Sequence, residues 1–341
     1  MRVAMYYNNS DIRIENVSQP VLQSGEILLR TMASGVCGSD TMEWYRVPKA
    51  PIVLGHEVAG EIVEVRGDVK NFKPGDRVIA THHVPCNTCY HCLRGNHSAC
   101  DTLRSTHFDP GGFSEYIRIP SINVDRGVLR LPDNVSYEQG SFVEPLGCVV
   151  RGQRLAGFEA GSCVLIIGCG MTGLLNLQYA KAQGAGTIFA SDINDFKLRT
   201  AKKLGADHVL RPDISIGENI KELNEGRLAD FIVVNTGAPS AIKQALSLIE
   251  LGGTILYFAP SDPGYKLTID FNEIWWKGIK IISSYAASQA DLSVALNMIS
   301  SGRVNVAEMI THRLPLSQTQ KGFELAIKSD DSIKVIIEPQ S

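Results

Sequence analysis

The pattern of apolar and polar residues changes character once along the chain. Up to about residue 145 the apolar runs are short. Glu26-Ile27-Leu28-Leu29-Arg30 and Gly60-Glu61-Ile62-Val63-Glu64-Val65 read as strands, and Gly, Pro and Asp interrupt the intervals between such runs. Phe72-Lys73-Pro74-Gly75-Asp76-Arg77-Val78 reads as a turn leading into a strand. Beyond Glu144-Pro145, continuous apolar runs alternate with amphipathic segments. Val164-Leu165-Ile166-Ile167 precedes a predicted helix from Leu174 to Ala182, and Thr187-Ile188-Phe189-Ala190 precedes one from Phe196 to Leu204. His208-Val209-Leu210, Phe231-Ile232-Val233-Val234 and Thr254-Ile255-Leu256-Tyr257-Phe258 follow, with helical stretches between them. That alternation predicts a parallel sheet wrapped by helices, an α/β architecture. After about residue 285 it stops. One helix is expected near Leu292–Ser300, one near Thr319–Ala326, and a last strand at Lys334-Val335-Ile336-Ile337. This tail is too short for a domain, so it is expected to return to the first one. The predicted division is 1–147 plus 285–341 for one domain and 148–284 for an inserted second. There is no internal repeat.

Composition narrows the classes of function. With 341 residues, 44% of them apolar and 20% charged, the chain is long enough for two ordinary cores. The net charge of −3 and the absence of any Lys/Arg run disfavour nucleic acid and anionic membrane as partners. No apolar run approaches the length of a membrane span, and the N-terminus turns polar at Asn8-Asn9-Ser10, unlike a signal peptide. A cytoplasmic setting is expected.

Four of the eight cysteines fall within fifteen residues as Cys86-x2-Cys89-x2-Cys92-x7-Cys100. Two-residue spacers let thiolates from one tight loop converge on a tetrahedral ion at about 2.3 Å, and a fourth sulfur closes the shell. A closed all-sulfur shell has no position for water, so a zinc there is structural; an iron–sulfur cluster is the rival occupant. Four unliganded loop cysteines are the plainer reading, and crowding disfavours it. His82, His83, His91 and His97 lie nearby and are expected to be solvated. Cys148, Cys163 and Cys169 read as small buried apolar residues.

Gly168-Cys169-Gly170-Met171-Thr172-Gly173 is weak evidence by itself. Its context strengthens it: a predicted strand before, a helix after, and Asp192 nineteen residues past the last glycine at the end of the next strand. The glycines permit a tight turn and close approach of a pyrophosphate to the helix N-terminus. Asp192 would accept hydrogen bonds from adenosine ribose hydroxyls and repel a 2′-phosphate. NAD is therefore expected over NADP.

Three further segments are weak singly: Gly35-Val36-Cys37-Gly38-Ser39-Asp40, Gly55-His56-Glu57-x2-Gly60 and Glu144-Pro145-Leu146. Together they supply a sulfur, an imidazole and a carboxylate, a mixed set that binds zinc with a coordination position open. With Gly75-Asp76-Arg77-Val78, the four cysteines, Gly111-Gly112-Phe113-Ser114-Glu115-Tyr116, the glycine loop and Thr311-His312-Arg313, they cover nearly the whole chain. In these motifs the sequence resembles the zinc-containing medium-chain alcohol dehydrogenases, in particular the polyol (sorbitol/xylitol-type) and threonine dehydrogenase branch.

The resemblance implies a GroES-like β-barrel catalytic domain with an inserted Rossmann domain and the active site in the cleft. It implies two zinc ions, NAD, a small alcohol or ketone as substrate, and a homodimer or homotetramer. Cys37, His56 and Glu144 would be the catalytic zinc ligands, with Glu57 beside the metal and able to exchange with its water. Asp40 matches the acid that holds the ligand histidine, and Ser39 would relay the substrate proton. Lys197 matches a basic residue flanking the adenosine, although a solvated helix lysine fits equally. Trp44, Phe108, Glu115 and Arg313 would line the substrate pocket; the plainer alternative is that Glu115 and Arg313 pair with each other or with Glu57. A carboxylate at Glu144 points to the polyol branch. Two positions depart from the pattern. Met42 replaces a histidine that relays the proton to solvent, and Arg66 stands where relatives have Gly or Ala, in a turn. Threonine oxidation is the rival activity, modestly disfavoured by Met42. A non-catalytic zinc- or cofactor-binding protein is the rival outside enzymes, and the open metal set argues against it.

Overall fold

The computed structural model describes residues 1–341. The chain divides into two compact units, each taken by itself. The first comprises Met1–Gly147, Ala286–Gly302 and Val306–Ser341; the second comprises Cys148–Tyr285 and Arg303–Asn305. No helix is long and apolar enough to cross a membrane.

The first unit is built on a seven-stranded sheet. Its strands run in the order Ile310–Pro315, Lys334–Glu338, Ile27–Gly35, Glu57–Val65, Arg77–Thr81 and Val128–Arg130, with Tyr116–Ile119 also paired to Ile27–Gly35. All pairings are antiparallel except that of Ile310–Pro315 with Lys334–Glu338. The C-terminal strand thus enters the sheet beside Ile27–Gly35, with Ile336 opposite Gly35 and Ile337 opposite Ser34. A smaller sheet joins Arg2–Asn8 to Asp11–Asn16 and Ile52–Val53. Apolar residues of the two sheets fill two cores. One gathers Tyr6, Phe113, Phe323 and Ile337; the other gathers Ile27, Leu29, Ile62, Val78 and Ile117. The 3.6-residue spacing of Phe323 and its neighbours on the helix Thr319–Lys328 places that helix over the C-terminal strand.

The second unit is a six-stranded parallel sheet. In space its strands run His208–Leu210, Ile188–Ser191, Val164–Ile167, Ala229–Val234, Ile249–Tyr257 and Lys280–Ser283. The first strand in sequence lies third in space, so the winding reverses between Val164–Ile167 and Ala229–Val234. Such a reversal leaves a crevice at the carboxyl ends of the strands, where ligands of doubly wound sheets bind. Central strands are buried on both faces, which explains their unbroken apolar runs. The helix Met171–Ala182 is buried over most of its middle, whereas Asp195–Leu204 shows one face to solvent. Asn194 starts the latter by accepting from the N–H of Phe196 at 2.8 Å and Lys197 at 3.2 Å, and Gly205 ends it at φ +114°.

Candidate metal centres and cofactor loop

The loop following Arg77–Thr81 folds the four cysteines together. Cys86, Cys89, Cys92 and Cys100 place their sulfurs within 4.8 Å of one another, and none is in a disulfide. A tetrahedron with arms of about 2.3 Å has sulfurs about 3.8 Å apart; the Cys86 and Cys92 sulfurs are separated by 3.9 Å. Backbone N–H groups already point at these sulfurs, from Cys89 to Cys86 at 3.2 Å and from Cys86 to Cys100 at 3.3 Å. The donors around Cys86, the Thr88 N–H foremost, hold its thiol down to about 5, favouring thiolate. The residues therefore fit a tetrahedral, thiolate-ligated ion.

A second group combines Cys37, His56 and Glu57, whose ligand atoms also lie within 4.8 Å of one another. Cys37 follows the strand Ile27–Gly35, and Glu57 opens the antiparallel partner Glu57–Val65, with Gly35 and Glu57 directly opposed. Two strand ends thus bring the donors together. Mixed sulfur, nitrogen and oxygen donors suit a zinc with a position left for another ligand. Glu144, the other carboxylate expected at this metal, lies in the first turn of the helix Val143–Leu155. Glu57 is the carboxylate whose oxygen lies within 4.8 Å of the Cys37 and His56 donor atoms.

Asp40 organises the loop around these ligands. It is fully buried and accepts from the Cys37 N–H at 3.1 Å through Oδ2, while Oδ1 lies 3.3 Å from His56 Nδ1 and 3.3 Å from Arg46 Nη2. Burial alone would raise its pKa; attraction to His56, the His56 hydrogen bond and Arg46 outweigh it and hold the carboxyl below its ordinary value. Arg46 also donates to the Ser39 carbonyl at 3.0 Å and to Ser39 Oγ at 3.3 Å. Ser39 Oγ donates in turn to Cys37 Sγ at 3.4 Å.

Behind Glu57 stands Lys334 from the C-terminal strand. The two form an ion pair with both side chains wholly excluded from water, and Lys334 Nζ also donates to the Val36 carbonyl at 3.2 Å. Only one carboxylate oxygen is used: Glu57 Oε1 is buried without a partner. An orphaned buried oxygen costs free energy unless a ligand takes it. Its presence in a metal-donor group supports a cation there.

Beside this group lies a cavity of about 380 Å3, lined among others by Asp40, Arg46, His56, His82, His107 and Phe108. Of the expected pocket residues, only Phe108 is on its wall. Glu115 is engaged elsewhere, accepting from the Arg2 N–H at 2.6 Å and Arg2 Nε at 2.7 Å. Arg313 is paired with Glu138. Neither pairs with the other or with Glu57. Trp44 is 49% exposed, lies against Tyr45, and does not line the cavity. Missing from the expectation are Arg46, Lys334 and a row of imidazoles. His82 and His83 are partly buried rather than solvated, with ring centroids 3.7 Å apart; His82 lies 4.8 Å from His56 and 6.2 Å from His107. Burial, then repulsion from neighbouring cations, holds His82 well below the ordinary histidine range and His83 at about 3. The dipeptide His82-His83 was the only visible sign of this row.

In the second unit the glycine loop sits between Val164–Ile167 and the helix Met171–Ala182, beside the winding reversal. Gly168 has φ +87°, a conformation that L side chains rarely adopt. A Cβ on Gly173 would meet the Gly168 carbonyl oxygen at 1.9 Å, so helix and turn approach as only glycine allows. A Cβ on Gly170 would meet nothing within 4 Å, leaving open space at the start of the helix that Met171, Thr172 and Gly173 begin. Asp192 caps this loop: Oδ2 accepts from the Cys169 N–H at 2.7 Å and Oδ1 from the Asn194 N–H at 2.9 Å. Both oxygens retain a lone pair. Lys197 is partly buried on the following helix. The residues fit a dinucleotide whose pyrophosphate rests on the helix N-terminus.

Comparison with known proteins agrees with both units. Residues 23–133 match the alcohol dehydrogenase GroES-like domain, and residues 172–301 match the zinc-binding dehydrogenase family. Sorbitol dehydrogenase of Bacillus subtilis is 32% identical over 355 residues, covering 99% of this chain and 97% of that protein. L-Threonine 3-dehydrogenase of Bacillus velezensis is 34% identical over 337 residues, covering 96% and 95%. Among solved structures, 2R,3R-butanediol dehydrogenase of Bacillus subtilis superposes with a TM-score of 0.86 at 27% identity, covering 99% of each chain. A zinc-binding dehydrogenase of Sinorhizobium meliloti bound to NADP gives 0.86 at 25% identity, again covering 99% of each. The chain belongs to the zinc-binding alcohol dehydrogenase family, with a GroES-like domain and a Rossmann-type parallel sheet. It is an oxidoreductase that uses zinc and a nicotinamide cofactor.

Proposed function

We propose that the protein oxidises, reversibly, a secondary hydroxyl flanked by a second hydroxyl, as in a sugar alcohol, cyclitol or vicinal diol. The observation that carries this reading is the Cys37, His56 and Glu57 donor group beside a cavity with an uncommitted polar wall. The sorbitol and butanediol dehydrogenases among the similar proteins support the same class. Bound zinc supplies a Lewis acid for the hydroxyl oxygen, and the nicotinamide supplies a hydride acceptor. Asp40, accepting from His56 Nδ1, directs the other ring nitrogen toward the metal. Ser39 Oγ would accept the substrate proton as it passes its own proton on, and Arg46 Nη2, 3.3 Å away, steadies that oxygen as it changes partners. Met42 carries no proton, so the proton leaves by another route. Threonine oxidation is less well supported, because Arg313, the group suited to its carboxylate, is spent on Glu138. The deciding measurement is kcat/KM for a vicinal diol against the secondary alcohol of equal chain length and against threonine. The diol should win; a preference for the simple alcohol or for threonine refutes the substrate class and leaves the family assignment intact.

The two donor sets are read as two zinc ions with separate roles. Metal analysis should find two per active chain. Cys37→Ala or His56→Ala should remove turnover without unfolding, Ser39→Ala should lower kcat by roughly 10²–10⁴, and Cys89→Ser should act mainly on thermal stability. Loss of the catalytic zinc in Glu57→Ala but not Glu144→Ala would make Glu57 the third ligand, and the reverse pattern would restore Glu144. One zinc at full activity overturns the pair of sites.

NAD is read as the preferred cofactor because the Asp192 carboxylate, fixed by two backbone N–H groups, stands where a 2′-phosphate would be repelled. Asp192→Asn keeps the acceptor and removes the charge, so discrimination against NADP should relax. Equal kcat/KM for NAD and NADP in the unaltered protein contradicts this.

A homodimer or homotetramer is the expected assembly. Phe271, Trp275 and Trp276 are 79%, 68% and 77% exposed on the helix Phe271–Lys277, just before the outer strand Lys280–Ser283, whose far edge has no partner. Large apolar exposure beside an open sheet edge is what self-association covers. Sedimentation velocity should show an oligomer that Trp275→Glu weakens; a monomer at micromolar concentration would end this proposal.

A further inference from the structure

The cavity beside the metal-donor group has two kinds of polar residue on its wall. His56 belongs to the donor group, Asp40 and Arg46 are tied to it, and Asp109 is paired with Arg118 at 3.0 Å. His82 and His107 lie on the same wall outside the Cys37, His56 and Glu57 donor group. Yet His82 Nδ1 is buried without a hydrogen-bond partner. Native interiors leave few such atoms, and a ligand is one of the ordinary ways to satisfy them. The His82 ring packs between those of His56 and His83, tilted against each, at centroid distances of 4.8 and 3.7 Å. An imidazole carries one nitrogen that donates and one that accepts, the pair of roles that a hydroxyl complements.

Charge decides which ligand class suits this wall. Arg46 is the only lysine or arginine lining the cavity. Its Nε is bonded to the Ser39 carbonyl and its Nη2 to Ser39 Oγ and Asp40 Oδ1, at 3.0, 3.3 and 3.3 Å. A carboxylate or phosphate entering here would compete with the fully buried Asp40 for that cation. An uncharged hydroxyl asks for no counter-charge. Phe108, 9% exposed, adds an apolar surface 6.2 Å from the His82 ring, suited to the C–H face of a polyol.

We infer that His82 and His107 form a hydroxyl-binding subsite that takes the uncharged hydroxyl neighbouring the one oxidised. This rests on the substrate class proposed above and deepens it, since it names the residues that would recognise the second hydroxyl. A pocket built to bond a hydroxyl rejects the analogue lacking it, because its own polar groups are then left unpaired.

His82→Phe keeps the ring and its stacking and deletes both nitrogens; His82→Asn restores a polar group near the position of Nδ1. The ratio of kcat/KM for the vicinal diol to that for the matched simple alcohol should fall about tenfold or more in His82→Phe, fall also in His107→Phe, and recover in part in His82→Asn. The same loss should appear in diol binding to the holoenzyme loaded with NADH, where no hydride can move. If His82→Phe and His107→Phe, each folded by circular dichroism, keep the diol ratio and diol binding of the unaltered enzyme, the subsite is wrong while the substrate class stands. If the unaltered enzyme itself does not favour the diol, the substrate class falls and the subsite with it. Should His82→Phe fail to fold, His107→Phe and His82→Asn decide by the same ratio.

Discussion

A carboxylate with no exposure to water holds the catalytic loop of this protein in place. Asp40 draws the Cys37 backbone, the His56 ring and the Arg46 guanidinium onto one group. Without compensation the burial of that charge would be costly; with three donors it becomes a fixed point. Cys37, His56 and Ser39 inherit their positions from it. Arg46 extends the same network to Ser39 Oγ, so one anion orients both the metal donors and the hydroxyl next to them.

A second buried charge depends on the far end of the chain. Glu57 and Lys334 are 277 residues apart in sequence, and both are wholly buried. Their meeting requires the C-terminal strand to enter the first sheet beside Ile27–Gly35, which it does with Ile336 opposite Gly35. A Cβ on Gly35 would lie 2.2 Å from Glu57 Oε2 and 2.6 Å from Lys334 Cε, so the absence of a side chain there is a condition of the pair. Breaking a buried pair by removing one partner ordinarily costs about 3–5 kcal/mol, because the other charge is stranded. The return of the tail to the first unit is thus written into the electrostatics of the metal group as well as into the sheet.

What was legible in the sequence was local. The four cysteines declare themselves because their spacing is itself the geometry of a tight loop, and Gly168 to Gly173 because a strand, a turn and a helix follow one another in order. The alternation of apolar runs and helices revealed the parallel sheet for the same reason. Pairings between distant residues were not legible. Glu115 is 113 residues from Arg2, and Arg313 is 175 from Glu138; nothing in either neighbourhood advertises a partner, so both were placed in the pocket by resemblance. His82 and His83 sit next to a cysteine-rich loop that reads as solvated, and only the packing of Phe108 and His107 beside them takes them out of water.

The two buried anions also explain how a pocket next to a metal can remain suited to uncharged substrates. A cation-lined cavity beside a Lewis acid would ordinarily attract any carboxylate small enough to enter. Here the cations near the metal are already matched: Arg46 by Asp40, Lys334 by Glu57. The rest of the polar wall is imidazole and Asp109, and burial foremost, followed by repulsion from neighbouring cations, keeps His82, His83 and His107 below the ordinary histidine range. Rings in that state offer hydrogen bonds without a net field. On the substrate class proposed above, pairing of these cations and support of the metal donors are two effects of one arrangement of charge.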